Sequence, residues 1–155
     1  MLNAIFAIDS ECGIAKDGVL PWPKNNDDMK HFVMLTKGAT VIMGKKTWDA
    51  PDMPSPLPGR RNIVICSNPQ PSDKCTQMTI EGLLDNISDF KDAYVIGGAM
   101  LIDSLKDYID EVHLTRFHGS YNCDTFVDLE FLGNFMLVHS DDRSGYSFEH
   151  YVRDM

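Results

Sequence analysis

Apolar runs of strand length, each ending in glycine or a polar turn and then a helical stretch, constrain this chain more than any other feature. Leu2 to Ile8 is one such run. Ala39 to Met43 is the next and leads into Gly44-Lys45-Lys46-Thr47-Trp48, a turn that opens a short helix. Asn62 to Cys66 is a third, followed by a helix over Thr79 to Ile87. Ala93 to Ile96 ends in Gly97-Gly98 before a helix from about Met100 to Tyr108, and Glu111 to Phe117 is a fifth strand. Runs without polar alternation are strands buried on both faces, and strand-helix alternation is the pattern of a parallel sheet. Beyond Phe117 the pattern changes to alternation, as in Phe135/Leu137 and Phe148/His150/Val152, which predicts antiparallel strands. The expected fold is α/β: one domain over residues 1–155, a mostly parallel central sheet with helices on both faces, and an antiparallel C-terminal edge. Ligands of such sheets bind beyond the carboxyl ends of the strands. The groups after Ile8, Met43, Cys66, Ile96 and Thr115 should therefore surround one cleft.

Charge narrows the choice of ligand. Fourteen basic against twenty-three acidic residues give a net charge of −9, which disfavours a nucleic-acid surface. Yet Lys37, Lys45, Lys46, Arg60 and Arg61 fall in one segment whose only acids are Asp49 and Asp52, a local patch suited to small anions. Cys12, Cys66, Cys75 and Cys123 form no Cys-x-x-Cys pair, and the histidines form no His-Glu-x-x-His pair. No metal is expected, and reduced thiols suggest a cytoplasmic protein. No signal-like leader or membrane-spanning run is evident.

Leu20-Pro21-Trp22-Pro23 is a stiff extended turn, because each proline fixes its own φ and keeps the residue before it out of the helical region. Asn25, Asn26 and Asp27 offer capping groups for a helix to about Lys37. Within it Asp28, Phe32 and Leu35 share a face, flanked by Met29 and Val33. Asp28 is thus a carboxylate among apolar neighbours, costly unless something binds it.

Three further stretches carry chemistry. Gly97-Gly98 after a buried strand lets backbone amides approach a phosphate closely. Gly44-Lys45-Lys46-Thr47 adds cations and a hydroxyl but lacks the full phosphate-loop pattern of nucleotide hydrolases. Arg60, fixed by the proline-rich loop of Pro51 to Arg61, suits a carboxylate or phosphate held bidentately. That loop is expected to be partly polyproline II, and Asp9 to Val19 to be a mobile loop.

Taken together these residues resemble dihydrofolate reductases. The resemblance rests on Leu20-Pro21-Trp22-Pro23, Asp28 with Phe32, Val41-Ile42-Met43-Gly44-Lys45-Lys46-Thr47-Trp48, Leu57-Pro58-Gly59-Arg60-Arg61-Asn62, Val95-Ile96-Gly97-Gly98, Leu114-Thr115 and Cys123-Asp124-Thr125-Phe126. They follow the family's order and spacing from Ile5 to about Asp128. The resemblance implies reduction of 7,8-dihydrofolate to tetrahydrofolate by hydride from NADPH, inhibition by antifolates, and a monomer. It implies that Asp28 anchors the pterin, that Thr115 braces it, and that Trp22 holds a water near the reacting end. Ile5, Phe6, Ala7, Met29, Phe32, Met53, Leu57 and Ile96 would surround the substrate rings, and Arg60 would take the substrate's α-carboxylate. Ala7, Ile14, Lys16, Gly18 and Val19 would meet or cover the nicotinamide. Gly44, Lys45, Lys46, Thr47, Cys66, Ser67 and the Ile96-Gly97-Gly98-Ala99-Met100-Leu101 turn would hold the rest of the cofactor.

The chain departs from the family pattern in places. Ile102 stands where a tyrosine is usual. Cys66-Ser67 replaces Ser-Arg, leaving the 2′-phosphate to Lys45 and Ser67. The loop from Ala50 to Pro56 is longer and richer in proline than in short bacterial members. A reductase of another heterocycle on the same fold would have no use for Arg60. A non-catalytic relative would not need Asp28, Thr115, Gly97 and Gly98 together.

Overall fold

In the computed structural model, which describes residues 1–154, the apolar runs become strands within a residue of the expected bounds. The strands are β1 (Leu2–Ile8), β2 (Gly13–Ala15), β3 (Thr40–Gly44), β4 (Arg61–Ile65), β5 (Thr76–Met78), β6 (Ala93–Gly97), β7 (Glu111–Phe117), β8 (Thr125–Phe126), β9 (Phe135–Asp142) and β10 (Tyr146–Arg153). The helices are α1 (Asn26–Thr36), α2 (Lys45–Trp48), α3 (Ile80–Asp85) and α4 (Ala99–Leu105). The expected Thr79–Ile87 helix breaks at Asn86 into α3 and a 3-10 turn over Ile87–Asp89, and α4 stops short of Tyr108. The short strands β2, β5 and β8 were not expected, being too brief to leave a periodic pattern.

Eight strands form the main sheet in the order β5-β4-β3-β6-β1-β7-β10-β9. The pairs from β5 to β7 are parallel, and β10 and β9 add antiparallel at the edge. The chain order reverses across β3, β6 and β1, which opens a crevice at their carboxyl ends.

Alternation along the strands divides the core in two. Leu2, Ala4, Phe6 and Ile8 of β1 face a large cluster with Ile42, Ile63, Val95, Leu114 and the α4 residues Leu101, Ile102 and Leu105. On the opposite face Val41, Met43, Val64 and Leu57 pack with the half-buried Phe32, Trp48, Met53, Tyr94 and Ile96. The first cluster is the main core. The second is smaller and forms the floor under α1.

The stretch expected to be a mobile loop is tied down instead. Asp9, only 2% exposed, accepts backbone hydrogen bonds from Glu11 (2.9 Å), Gly13 (2.8 Å) and Tyr121 (3.0 Å). Burial pushes its pKa up, but those amides and the Cys123 thiol outweigh it and hold the carboxyl below its ordinary value. β2 pairs with β8, and Asp124 accepts from the Asp17 amide at 2.9 Å. Lys16 and Val19 exchange backbone hydrogen bonds of 2.9 and 3.0 Å across Asp17-Gly18, whose φ values of 50° and 80° suit a tight hairpin turn. A Cβ on Gly13 would sit 2.4 Å from Cys123 Cβ, 2.5 Å from its Sγ and 3.0 Å from Asp9 Oδ1. Gly13→Ala should therefore destabilise the protein by roughly 1–3 kcal/mol, read as a lower urea midpoint at constant slope.

Candidate active site

Asn25 starts α1 by accepting the Asp28 amide on Oδ1 at 2.9 Å, so the helix begins where the cap residues predict. This sets Asp28 in the first turn, on the side facing β7. There Thr115 donates its hydroxyl to Asp28 Oδ1 at 2.8 Å. Thr115 pairs in register with Ala7 of β1 on one side and Phe148 of β10 on the other. Asp28 thus stands half-buried beside the carboxyl end of β1, not in bulk solvent.

Burial is the main influence on Asp28 and raises its pKa; the Thr115 hydrogen bond and the nearby His31 oppose this without cancelling it. His31, three residues on, stacks on Phe148 with centroids 4.3 Å apart. A carboxyl displaced toward neutral pH in a crevice is suited to handling a proton.

The apolar wall differs in part from the expected one. Phe32 and Leu35 are half-buried, but Met29 and Val33 are each 45% exposed, and Thr36 is the only fully buried residue of α1. Trp22 is buried by stacking on Phe117 at 4.8 Å and meeting Tyr121 edge-on at 6.0 Å. Leu20 donates its amide to Asp52 at 3.2 Å, which joins the tryptophan turn to the proline-rich loop.

That loop runs through a series of turns and bends. Its end is organised by Asn62, a buried side chain that accepts from the Leu57 amide (2.9 Å) and donates to the carbonyls of Leu57 and Arg60 (3.0 Å each). Arg60 is held in turn: its Nε donates to Thr36 Oγ1 at 3.0 Å and one terminal nitrogen donates to Pro58 O at 3.1 Å. Its guanidinium lies 5.7 Å from the Phe32 ring centroid, and among the described residues it has no carboxylate partner.

The glycine turns come together as expected. A Cβ at either Gly97 or Gly98 would lie 3.7 Å from Thr47 Oγ1, and one on Gly44 would lie 4.0 Å from Gly97 O and Gly98 N. Gly97 has φ 137°, a backbone region that side chains disfavour. The starts of α2 and α4 are therefore adjacent, bare of side chains and lined by a hydroxyl, a cradle that fits a phosphate-bearing cofactor. Lys46 and Ser67 are exposed beside these turns. Lys45 is engaged with Asp49 at 2.7 Å, an exposed pair weak enough to exchange for a phosphate.

Some expected contacts need correction. Phe6 and Leu101 point into the main core, as does Ile102, so only the backbone of Phe6 or Leu101 faces the crevice edge. Cys66 is half-buried with its thiol 3.5 Å from Gln77 Oε1, and Met100 is 82% exposed. Ile5, Ala7, Met53, Leu57 and Ile96 lie on the crevice side, with Ile5 and Ala7 sharing the β1 face that carries Thr115's neighbours. Ile14 is buried against the core, and Lys16, Gly18 and Val19 form the hairpin turn just described. Reading the sequence gave no role to Asp9, Thr36, Asn62, Phe117 or Tyr121. Each acts through a partner distant in sequence or through a backbone group, neither of which residue type alone reveals.

Comparison with known proteins gives the family. The family model described as dihydrofolate reductase matches residues 1–153. The dihydrofolate reductase of Bacillus subtilis is 35% identical over 96% of this chain and 91% of its own length. The type 3 enzyme of Salmonella typhimurium is 32% identical over 96% and 94%. A solved structure of Enterococcus faecalis dihydrofolate reductase, complexed with NADP(H) and RAB-propyl, superposes with a TM-score of 0.88. It shares 27% identity and covers 100% of this chain and 97% of that one. Since the match runs the whole length of the sheet, in sequence as well as in shape, this chain belongs to the dihydrofolate reductase family.

Proposed function

We propose that Asp28 anchors and polarises the substrate pterin in this enzyme, which reduces 7,8-dihydrofolate to 5,6,7,8-tetrahydrofolate with NADPH. The observation that carries the reading is the Thr115–Asp28 hydrogen bond of 2.8 Å beside the end of β1. Thr115 fixes one carboxylate oxygen, which leaves the other lone pairs to accept from the pterin's amino group and ring nitrogen. NADPH supplies the hydride that reaches C6. A carboxylate bound to the ring favours its protonated form, and water supplies the proton to N5. Trp22, locked against Phe117, is the residue assigned to position that water.

Arg60 is assigned to the substrate's α-carboxylate, since Thr36 and Pro58 orient the guanidinium while it has no acidic partner among the described residues. Ile5, Ala7, Met29, Phe32, Met53, Leu57 and Ile96 are assigned to the rings: Ile5 and Leu57 are buried already, and the exposed or half-buried others gain from being covered. Thr47, Lys46, Ser67 and the backbone of Gly44, Gly97, Gly98 and Ala99 are assigned to the cofactor. Cys12, Cys66, Cys75 and Cys123 are all free thiols, which supports a cytoplasmic location.

Loss of NADPH absorbance on adding dihydrofolate tests the activity directly. The expected result is turnover with both cofactors and a higher kcat/KM for NADPH than NADH. The preference should be narrower than a 2′-phosphate-binding arginine would give, because Ser67 stands in that place. Absence of dihydrofolate-dependent oxidation with either cofactor would overturn the reading.

A further inference from the structure

On the face of the sheet that carries Thr115, the strands β7 and β10 bring together a second set of donors that the reaction does not use. Glu111, His113 and Thr115 alternate along β7, so all three side chains leave the same face. His113 pairs in register with His150 of β10. Directly opposed residues of an antiparallel pair hold their Cβ atoms about 4.5–5.5 Å apart. Here the two imidazoles stack at 4.2 Å between centroids, and His150 Nε2 lies 2.5 Å from Glu111 Oε1. One ligand atom from each of Glu111, His113 and His150 falls within 4.8 Å of the others, and all three residues are half-buried.

We propose that Glu111, His113 and His150 form a binding site for a divalent transition cation of the zinc and nickel class. Two imidazoles and a carboxylate suit borderline ions, not magnesium or calcium, which take oxygen ligands. Metal–ligand bonds near 2.0–2.2 Å require tetrahedral donors about 3.3 Å apart. His150 and Glu111 stand closer than that, at 2.5 Å, held by the hydrogen bond a metal would replace, so these two donors open slightly as the His113 ring swings in to supply the third. The strands themselves supply rigidity, because β7 and β10 pair in register from Glu111/Val152 to Phe117/Tyr146. Side chains that are half-buried leave an entry path and a fourth position for water. The bound ion would link two strands of the antiparallel edge, and so raise stability, without contributing to hydride transfer.

Isothermal titration of the whole chain with ZnCl2 tests the site, alongside His150→Gln and His113→Gln, each checked for folding by circular dichroism. The expected result is one equivalent of Zn2+ bound by the wild type. Either variant should weaken it by about tenfold or more, since losing even a ligand's supporting partner costs that much. At a free Zn2+ concentration about a hundredfold above Kd, the wild-type Tm should rise by roughly 5–10 °C and that of His150→Gln should not. The His150→Gln variant keeps the test valid if His113→Gln fails to fold. The four cysteines are controlled by repeating the titration after thiol alkylation. No binding, binding unchanged in a folded His150→Gln, or binding abolished by alkylation would each overturn the proposal, the first leaving only a His150–Glu111 hydrogen bond.

Discussion

Asp28→Asn should lower the hydride-transfer rate by about 10²–10³-fold at neutral pH while NADPH affinity barely changes. The substitution is nearly isosteric, and an asparagine oxygen can still accept from Thr115, so the pocket keeps its shape. What disappears is the negative charge that favours a protonated pterin. Single-turnover measurement at saturating NADPH, with cofactor binding followed separately, checks both halves, and an unchanged rate removes Asp28 from its role. The wild-type pH–rate profile should show a group above the ordinary carboxylate range, since burial raises the Asp28 pKa, and the variant should lose it.

The same shift predicts a stability effect of opposite sign to the usual loss on mutation. Asp28 has a folded pKa above its unfolded value, so folding disfavours its charged form. Stability from this group increases as pH falls through the folded pKa, and at neutral pH its charge opposes folding. Asp28→Asn should therefore unfold at the same temperature as the wild type or higher. Asp9 is the contrast: its pKa is lowered, so its contribution is present above the unfolded value and is lost as pH falls through the folded one. The carboxylate proposed to anchor the substrate and the structural one are thus separable by the sign of their pH response.

Arg60→Leu should weaken dihydrofolate binding by about 30–150-fold, the equivalent of roughly 2–3 kcal/mol for a charge-assisted pair, with little change for NADPH. The guanidinium is held by Thr36 and Pro58 before any substrate arrives, so little ordering remains to be done on binding. Equilibrium titration of each ligand separates the outcomes. Equal losses for both ligands would mean that Arg60 supports the pocket as a whole and does not meet the substrate's tail. A folate analogue without the glutamate should bind the variant and the wild type alike.

Much of the site was legible in the sequence because it depends on local rules. The Asn25 cap sets the phase of α1, and that phase alone puts Asp28 and Phe32 on one side. Gly97-Gly98 and Gly44 follow buried strands whose parallel order places their ends together. What the pattern could not separate was the two faces of β1. Phe6 and Ala7 are adjacent and apolar, yet one lies in the main core and the other beside Thr115, and only pairing with β7 distinguishes them.

The sequence by itself determined the strand and helix order and the glycine turns, and offered Asp28 as a candidate, because capping, proline restriction and hydrophobic runs act within a few residues. Tertiary structure decided the rest. Thr115 reaches Asp28 across 87 positions, Asp9 holds Tyr121 across 112, and His150 meets Glu111 across 39. Contacts of that kind depend on strand register, which is fixed when the sheet closes and leaves no trace in the spacing of residues along the chain.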